Sequence, residues 1–148
     1  MMDSERLDRF YKIIESENGK IISEKKKRVY FEIEAGNIKK AASKLFEAGL
    51  RLSTMSAIEN KDNFEIIYHF SDDTTGYYFC PKVFVQLKKP AVPSVANEIK
   101  GAIWIEREIH ELFGVDFKGH PNLKPLLKEN IDTLPETPLR VKRRSNDE

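Results

Sequence analysis

Hydrophobic positions along this chain change period in a readable order. Leu7, Phe10, Tyr11 and Ile14 recur at three- and four-residue intervals, which predicts an amphipathic helix over residues 3–17. Asp3 or Ser4 can cap its first turn, and Asn18-Gly19 ends it. The period then shortens to two. Val29, Phe31 and Ile33 alternate with Arg28, Tyr30, Glu32 and Glu34, as in a half-buried strand. With Lys20 to Ser23 before it, this segment predicts a hairpin whose charged Glu24–Lys27 turn stays in water. Helical spacing returns at Ile38, Ala41, Ala42, Leu45 and Phe46, with Lys39, Lys40, Lys44 and Glu47 facing out. Gly36-Asn37 opens this second helix and Ala48-Gly49 closes it. Three strands follow, over Leu50–Glu59, Phe64–Ser71 and Tyr77–Leu87. In the middle one Phe64, Ile66, Tyr68 and Phe70 share a face, with Ile67 and His69 on the other. Pro81 cannot donate to a ladder, which predicts an edge position or a bulge for the third. Lys88–Pro93 reads as a connector, and Ser94 as the start of a helical turn.

The order α-β-β-α-β-β-β, followed by one more helix, predicts a two-layer α+β domain. A chain of 148 residues suits one such domain, placed at 1–128. Residues 129–148 carry Pro135, Pro138 and few large apolar side chains, so an extended or disordered tail is expected until it lies on a partner.

Charge changes the picture little. The formal net charge is +1, so no global field recruits nucleic acid. The basic runs Lys25-Lys26-Lys27-Arg28 and Lys142-Arg143-Arg144 read as solvated turn and tail. The single cysteine, Cys80, excludes a disulfide framework within a monomer and favours an intracellular compartment. It also leaves the chain unable to supply the thiolates of an iron–sulfur cluster. The charged opening residues are not a signal peptide. No apolar run approaches the roughly 20 residues that span a bilayer, so membrane association is expected only through a partner.

The most informative stretch is Gly101 to Pro121. Ala102, Ile105, Ile109, Leu112 and Phe113 form an apolar stripe, and Glu106, Arg107, Glu108, His110 and Glu111 lie mostly off it. Gly114 sits where a helix is often closed by a left-handed residue, and Leu123–Lys128 reads as one further helical turn. An amphipathic helix with its cap accounts for the apolar positions. It does not account for Glu106-Arg107-Glu108 beside Trp104, nor for the compact Phe117-Lys118-Gly119-His120-Pro121 that follows. These acids and Arg107 read either as a solvated face with an Arg107–Glu111 pair or as contacts to another subunit. Trp104 reads as an interface anchor or as core filling. Catalytic chemistry finds little support. His110 lies one helical turn after Glu106, but a metal site there needs a further ligand. His69 reads as structural or exposed, and His120 precedes a proline and reads as fixing a turn or meeting a partner. No phosphate loop, dinucleotide fingerprint, haem motif or nucleophile–base pattern is present.

The stretch resembles the signature of the respiratory complex I 30 kDa subunit family, also called the C subunit of NADH dehydrogenase, with relatives in energy-converting [NiFe] hydrogenases. The matching residues are Glu106, Arg107, Glu108, Glu111, Leu112, Phe113, Gly114, Phe117, Gly119, His120, Pro121, Asn122 and Leu123. Departures follow at Lys124-Pro125, where the family often has paired arginines, and at Thr137 before Pro138-Leu139-Arg140, where it often has histidine. The resemblance implies a mixed five-stranded sheet with helices on one face. It also implies a non-catalytic subunit in the hydrophilic arm of a complex I-type quinone reductase or an energy-converting hydrogenase. Such a subunit would hold no cofactor and brace a large 49 kDa or hydrogenase-large-like chain near an iron–sulfur small subunit that carries the clusters. It would lie on the cytoplasmic side, peripheral at the inner face of the membrane. The implied contact residues are Trp104, Glu106, Arg107, Glu108, Glu111, Phe113, Gly114, Phe117, Gly119, His120 and Pro121, with the tail. The rival expectation is a free-standing α+β module that binds a small ligand or peptide.

Overall fold

The computed structural model describes residues 2–123. The helical turn expected after Leu123 and the tail expected over 129–148 lie outside the described residues. In chain order the elements are α1 (Met2–Ser16), β1 (Lys20–Lys25), β2 (Arg28–Glu32), α2 (Ala35–Glu47), β3 (Arg51–Glu59), β4 (Phe64–Ser71), β5 (Tyr78–Val85), β6 (Ala91–Pro93), α3 (Ala102–Phe113) and β7 (Asp116–Lys118). Five strands form a mixed sheet in the order β1-β2-β5-β4-β3, in which only β2 and β5 run parallel. This is the α+β architecture that the periodicities and the resemblance both imply.

Alternation decides which face the helices cover. Val29 and Phe31 of β2, Phe79 and Val83 of β5, and Phe64, Ile66, Tyr68 and Phe70 of β4 all project to one side and are buried. Phe10 and Tyr11 of α1 meet Phe79 edge-on, with ring centroids at 5.1 and 5.5 Å. Ile38, Ala41, Ala42 and Leu45 of α2 close the same core. A partly buried ion pair fixes the start of α1. Arg6 bonds Asp72 in the β4–β5 loop at 2.8 Å, and Asp72 also accepts from the Thr75 hydroxyl and the Thr74 amide. On the other face, charged groups lie over aromatic rings. Arg28 covers Tyr78 at 4.2 Å, and Lys82 covers Tyr30 at 4.9 Å while pairing with Glu65 at 3.4 Å. Cys80 and Ile67 are buried on this face, where the long cationic side chains lie across the strands.

The expected hairpin forms, and its two-residue turn places both Lys26 and Lys27 at positive φ, 49° and 65°. Asn18 (φ 59°) turns the chain after α1, and Gly19 allows a close approach. A Cβ there would lie 2.7 Å from Ile14 Cγ2.

Two expectations need correction. Pro81 is not at an edge, because β5 lies between β2 and β4. The β4–β5 pairing runs from Ile67↔Lys82 to Phe70↔Phe79 in constant register and skips Tyr68 and His69, which stand opposite Pro81 and Cys80 by count. The proline is accommodated by a local gap in the ladder, without a bulge. The connector before Ser94 and the segment after α3 also contain short strands. β6 and β7 pair in parallel through Ala91↔Asp116, Val92↔Phe117 and Pro93↔Lys118. Three-residue strands are too short to display a period of two.

Removing the buried Asp72 carboxylate should leave Arg6 without its partner inside the α1 contact. Asp72→Ala is expected to lower the unfolding free energy by about 2 kcal/mol in a denaturant titration. The Arg6, Thr75 and Thr74 bonds hold the Asp72 pKa below its ordinary value despite burial. Its contribution is therefore present above the unfolded value and lost as pH falls through the lower folded one.

Candidate functional site

The signature segment is built at a junction of four pieces: α3, the turn after Ser94, the β6–β7 pair and the turn after β7. α3 packs along β3, with Phe113 edge-on to Phe64 at 5.6 Å. Its buried residues are Ala102, Glu106, Ile109 and Glu111: the first three share the inward face, and Glu111 is buried on another side of the helix.

Glu106 is completely buried. Its Oε1 accepts from the Ser94 hydroxyl at 2.6 Å and its Oε2 from the Val95 amide at 2.9 Å. Ser94 Oγ in turn accepts from the Ala96 amide at 3.0 Å, and Ile99 N donates to Val95 O at 2.9 Å. The carboxyl group thus satisfies the opening donors of a short turn, as an N-cap does for a helix, but from another element. Burial pushes the Glu106 pKa up to about 7 against these two bonds, and the charge of Glu98 adds to the rise. The Tyr68 hydroxyl nearby is buried with no hydrogen-bond partner among the described residues. Burial, then the Glu106 charge, raises it well above its ordinary value.

His120 fastens the other side. Its Nε2 lies 3.0 Å from Ile103 O and its Nδ1 2.8 Å from Asn122 N. Asn97 Nδ2 donates to Gly119 O at 3.1 Å. Gly114 closes α3 at φ 79°, its amide donating to His110 O at 2.9 Å. The His110 ring bonds Val115 O at 2.8 Å, so the Glu106–His110 contact that the spacing allows is replaced by two separate tethers. Phe117 is buried beneath β7, and Gly119 turns the chain at φ 85°.

The implied contact residues therefore divide. Glu106, Phe117 and the His120 ring point into the domain, and Glu111 is buried on the side of α3 that carries Trp104. Phe113, Gly114 and Arg107 are half-buried. Trp104, Glu108, Gly119 and Pro121 face outward. Trp104 is 61% exposed, which rejects core filling, and the Arg107 guanidinium lies over its ring at 5.1 Å. Sequence reading missed Ser94 and Tyr68 as parts of this junction. No spacing rule links a serine in a turn to an acid twelve residues later, and Tyr68 read as an ordinary core position.

Elsewhere, His69 joins Ser56 Oγ at 2.9 Å and Cys80 Sγ at 3.7 Å. Burial lowers the His69 pKa and pushes the Cys80 thiol up to about 11, so this cysteine is a thiol at neutral pH and not an activated nucleophile. Among the described residues no group of three or more His, Cys, Asp or Glu converges on a point that could hold a metal. A surface cavity of about 590 Å³ is lined by Asn63, Phe84, Val85, Gln86, Lys89 and Ala91, none of them in the signature. No helix among the described residues is long and apolar enough to cross a membrane.

The raised Glu106 value carries a sign. Its stabilising contribution is complete below the unfolded value of 4.5 and is lost as pH rises through about 7. Relative to Glu106→Gln, the wild-type chain should lose about 3 kcal/mol of unfolding free energy across that interval. Parallel pH–stability curves for the two proteins would refute the assignment.

The comparisons with known proteins fit this geometry. The family described as the respiratory-chain NADH dehydrogenase, 30 Kd subunit, matches residues 31–147. The C subunit of the NADH-quinone oxidoreductase of Legionella pneumophila is 39% identical over 70 residues, covering 47% of this chain and 31% of its own. The C subunit of the F(420)H(2) dehydrogenase of Methanosarcina mazei is 35% identical over 91 residues, covering 60% and 57%. The chain thus spans about a third of the bacterial relative and just over half of the archaeal one. Among solved structures, the trypsin-resistant fragment of Nqo5 shares the fold, with a TM-score of 0.68 at 22% identity over 80% of this chain and 99% of that one. So does a chain of the membrane-bound sulfane sulfur reductase, an archaeal respiratory membrane complex, with a TM-score of 0.70 at 20% identity over 89% and 76%. The match to the family covers most of the sequence and includes the whole junction around Glu106 and His120: the chain belongs to the respiratory-chain NADH dehydrogenase 30 kDa subunit family.

Proposed function

We propose that this protein is a redox-inert subunit of a membrane-attached respiratory oxidoreductase, held in the complex by the outer face of α3 and the turn after β7. Its relatives are named as subunits of NADH-quinone oxidoreductase and of F(420)H(2) dehydrogenase, which supports a place in such an assembly. The partner would be the large 49 kDa or hydrogenase-large-like chain, close to the iron–sulfur small subunit. Electrons would pass through those neighbours, whose clusters need thiolates that this chain does not supply. The protein would sit on the cytoplasmic side and reach the membrane only through them.

One observation carries the docking surface. Trp104, the only tryptophan, stands 61% exposed on a helix whose opposite side is buried. Large aromatic side chains in water are costly and are frequent anchors at protein interfaces. Arg107 lies over the ring, and Glu108 lies one helical turn from Trp104, so an apolar anchor is flanked by charges of both signs. Glu106 and His120 serve this surface from inside, by fixing where α3 and the 119–122 turn stand.

The test is assembly. A tagged full chain, expressed in its own host, should co-purify from detergent-solubilised membranes with an iron–sulfur-containing large chain. Trp104→Ala should leave thermal stability within about 0.5 kcal/mol of wild type, as for a surface change, while recovery of that partner falls about tenfold. Undiminished recovery by the variant would move the docking surface elsewhere. Absence of any cluster-bearing partner from the wild type would remove the assignment.

A further inference from the structure

His120 is a titratable group sealed at the junction, and its contacts specify its protonation. Ile103 O can only accept, so Nε2 carries a hydrogen; the Asn122 amide can only donate, so Nδ1 is bare. With the 119–122 turn shut, the ring is therefore neutral. The ring and the carboxyl group of Glu106 are both fully buried, with Nε2 3.9 Å from Oε1.

We propose that Glu106 and His120 form a proton-operated catch, in which the 119–122 turn is held on α3 while Nδ1 is bare and is released when a proton occupies it. The stereochemistry leaves no intermediate position. A proton on Nδ1 removes the lone pair that accepts the Asn122 amide, and two donors then face each other at 2.8 Å. The other groups at the junction set the balance. From the 94–99 turn, Ser94 and Val95 donate to Glu106, and Glu98 adds a like charge that is itself paired with Lys39 of α2 at 3.4 Å. From β4 comes the neutral Tyr68 hydroxyl. From the turn comes His120 alone. Leu52, Met55 and Ala57 of β3, on the sheet face that carries α3, are uncharged. The released turn would carry Gly119, Pro121 and Asn122 away from Ile103 and Asn97, whether or not the outer face of α3 docks a partner.

The experiment uses the full chain labelled with ¹⁵N. Ring nitrogen shifts report the His120 tautomer, and the exchange protection factor of the Asn122 amide reports the turn, from about pH 8 to about pH 5. The expected result is a bare Nδ1 with a protected amide at the upper end. On acidification, protection should fall about tenfold with the same midpoint as Nδ1 protonation. His120→Gln, which cannot titrate, should show Asn122 protection that does not vary with pH. Three results would overturn the catch: protonation of Nδ1 without loss of protection, the same loss in His120→Gln, or an imidazole that stays neutral until the domain unfolds.

Discussion

The constraint on which this molecule turns is the burial of a carboxyl group where hydrocarbon is the rule. Glu106 occupies a core position on α3, and the reason lies outside the helix, in the hydroxyl and amide donors of Ser94 and Val95. A leucine there would pack but would leave those donors without acceptors inside the protein, a worse outcome than burying one hydrogen-bonded acid. Once this contact is made, the rest of the segment has little freedom. The turn after Ser94 is fixed to α3, β6 is carried with it, and β7 must pair alongside. The chain then returns over the start of the helix, where His120 meets Ile103.

This arrangement divides the family signature into two kinds of residue. Glu106, Phe117, Gly114 and the His120 ring maintain a shape, by a hydrogen bond, a packed ring, a left-handed cap and a bidentate imidazole. Trp104, Glu108 and Pro121 take no part in that and are presented to the outside. A sequence motif of this length therefore need not mean chemistry at a point. Here half of it holds the platform on which the other half stands.

What is legible in the sequence follows the strength of the periodic signal. β4 can be read to the residue because eight consecutive positions alternate between two buried faces, with Asn60–Asn63 marking the turn before them. The two long helices can be read to within two residues from their apolar stripes. Pro81 misleads because the rule against proline in central strands assumes a continuous ladder, and this ladder is interrupted at Tyr68 and His69. β6 and β7 escape notice because their pairing depends on the tertiary course of α3. At the site, the sequence leaves the outward position of Trp104 open, since a tryptophan three residues before Arg107 suits either face. The inward position of Glu106 cannot be foreseen, because the donors it serves come from a separate turn.

The family match begins at residue 31, which lies inside β2 rather than at its start. The start of that match is thus not a boundary of folding. A chain cut there would lose Phe10 from against Phe79, the Arg6 partner of Asp72 and half of a strand that borders the sheet's parallel seam. α1 and the hairpin are part of the same sheet and core as the segment that matches the family, and a chain of this sequence begun at residue 31 would leave Phe79 uncovered and β5 without most of its parallel partner.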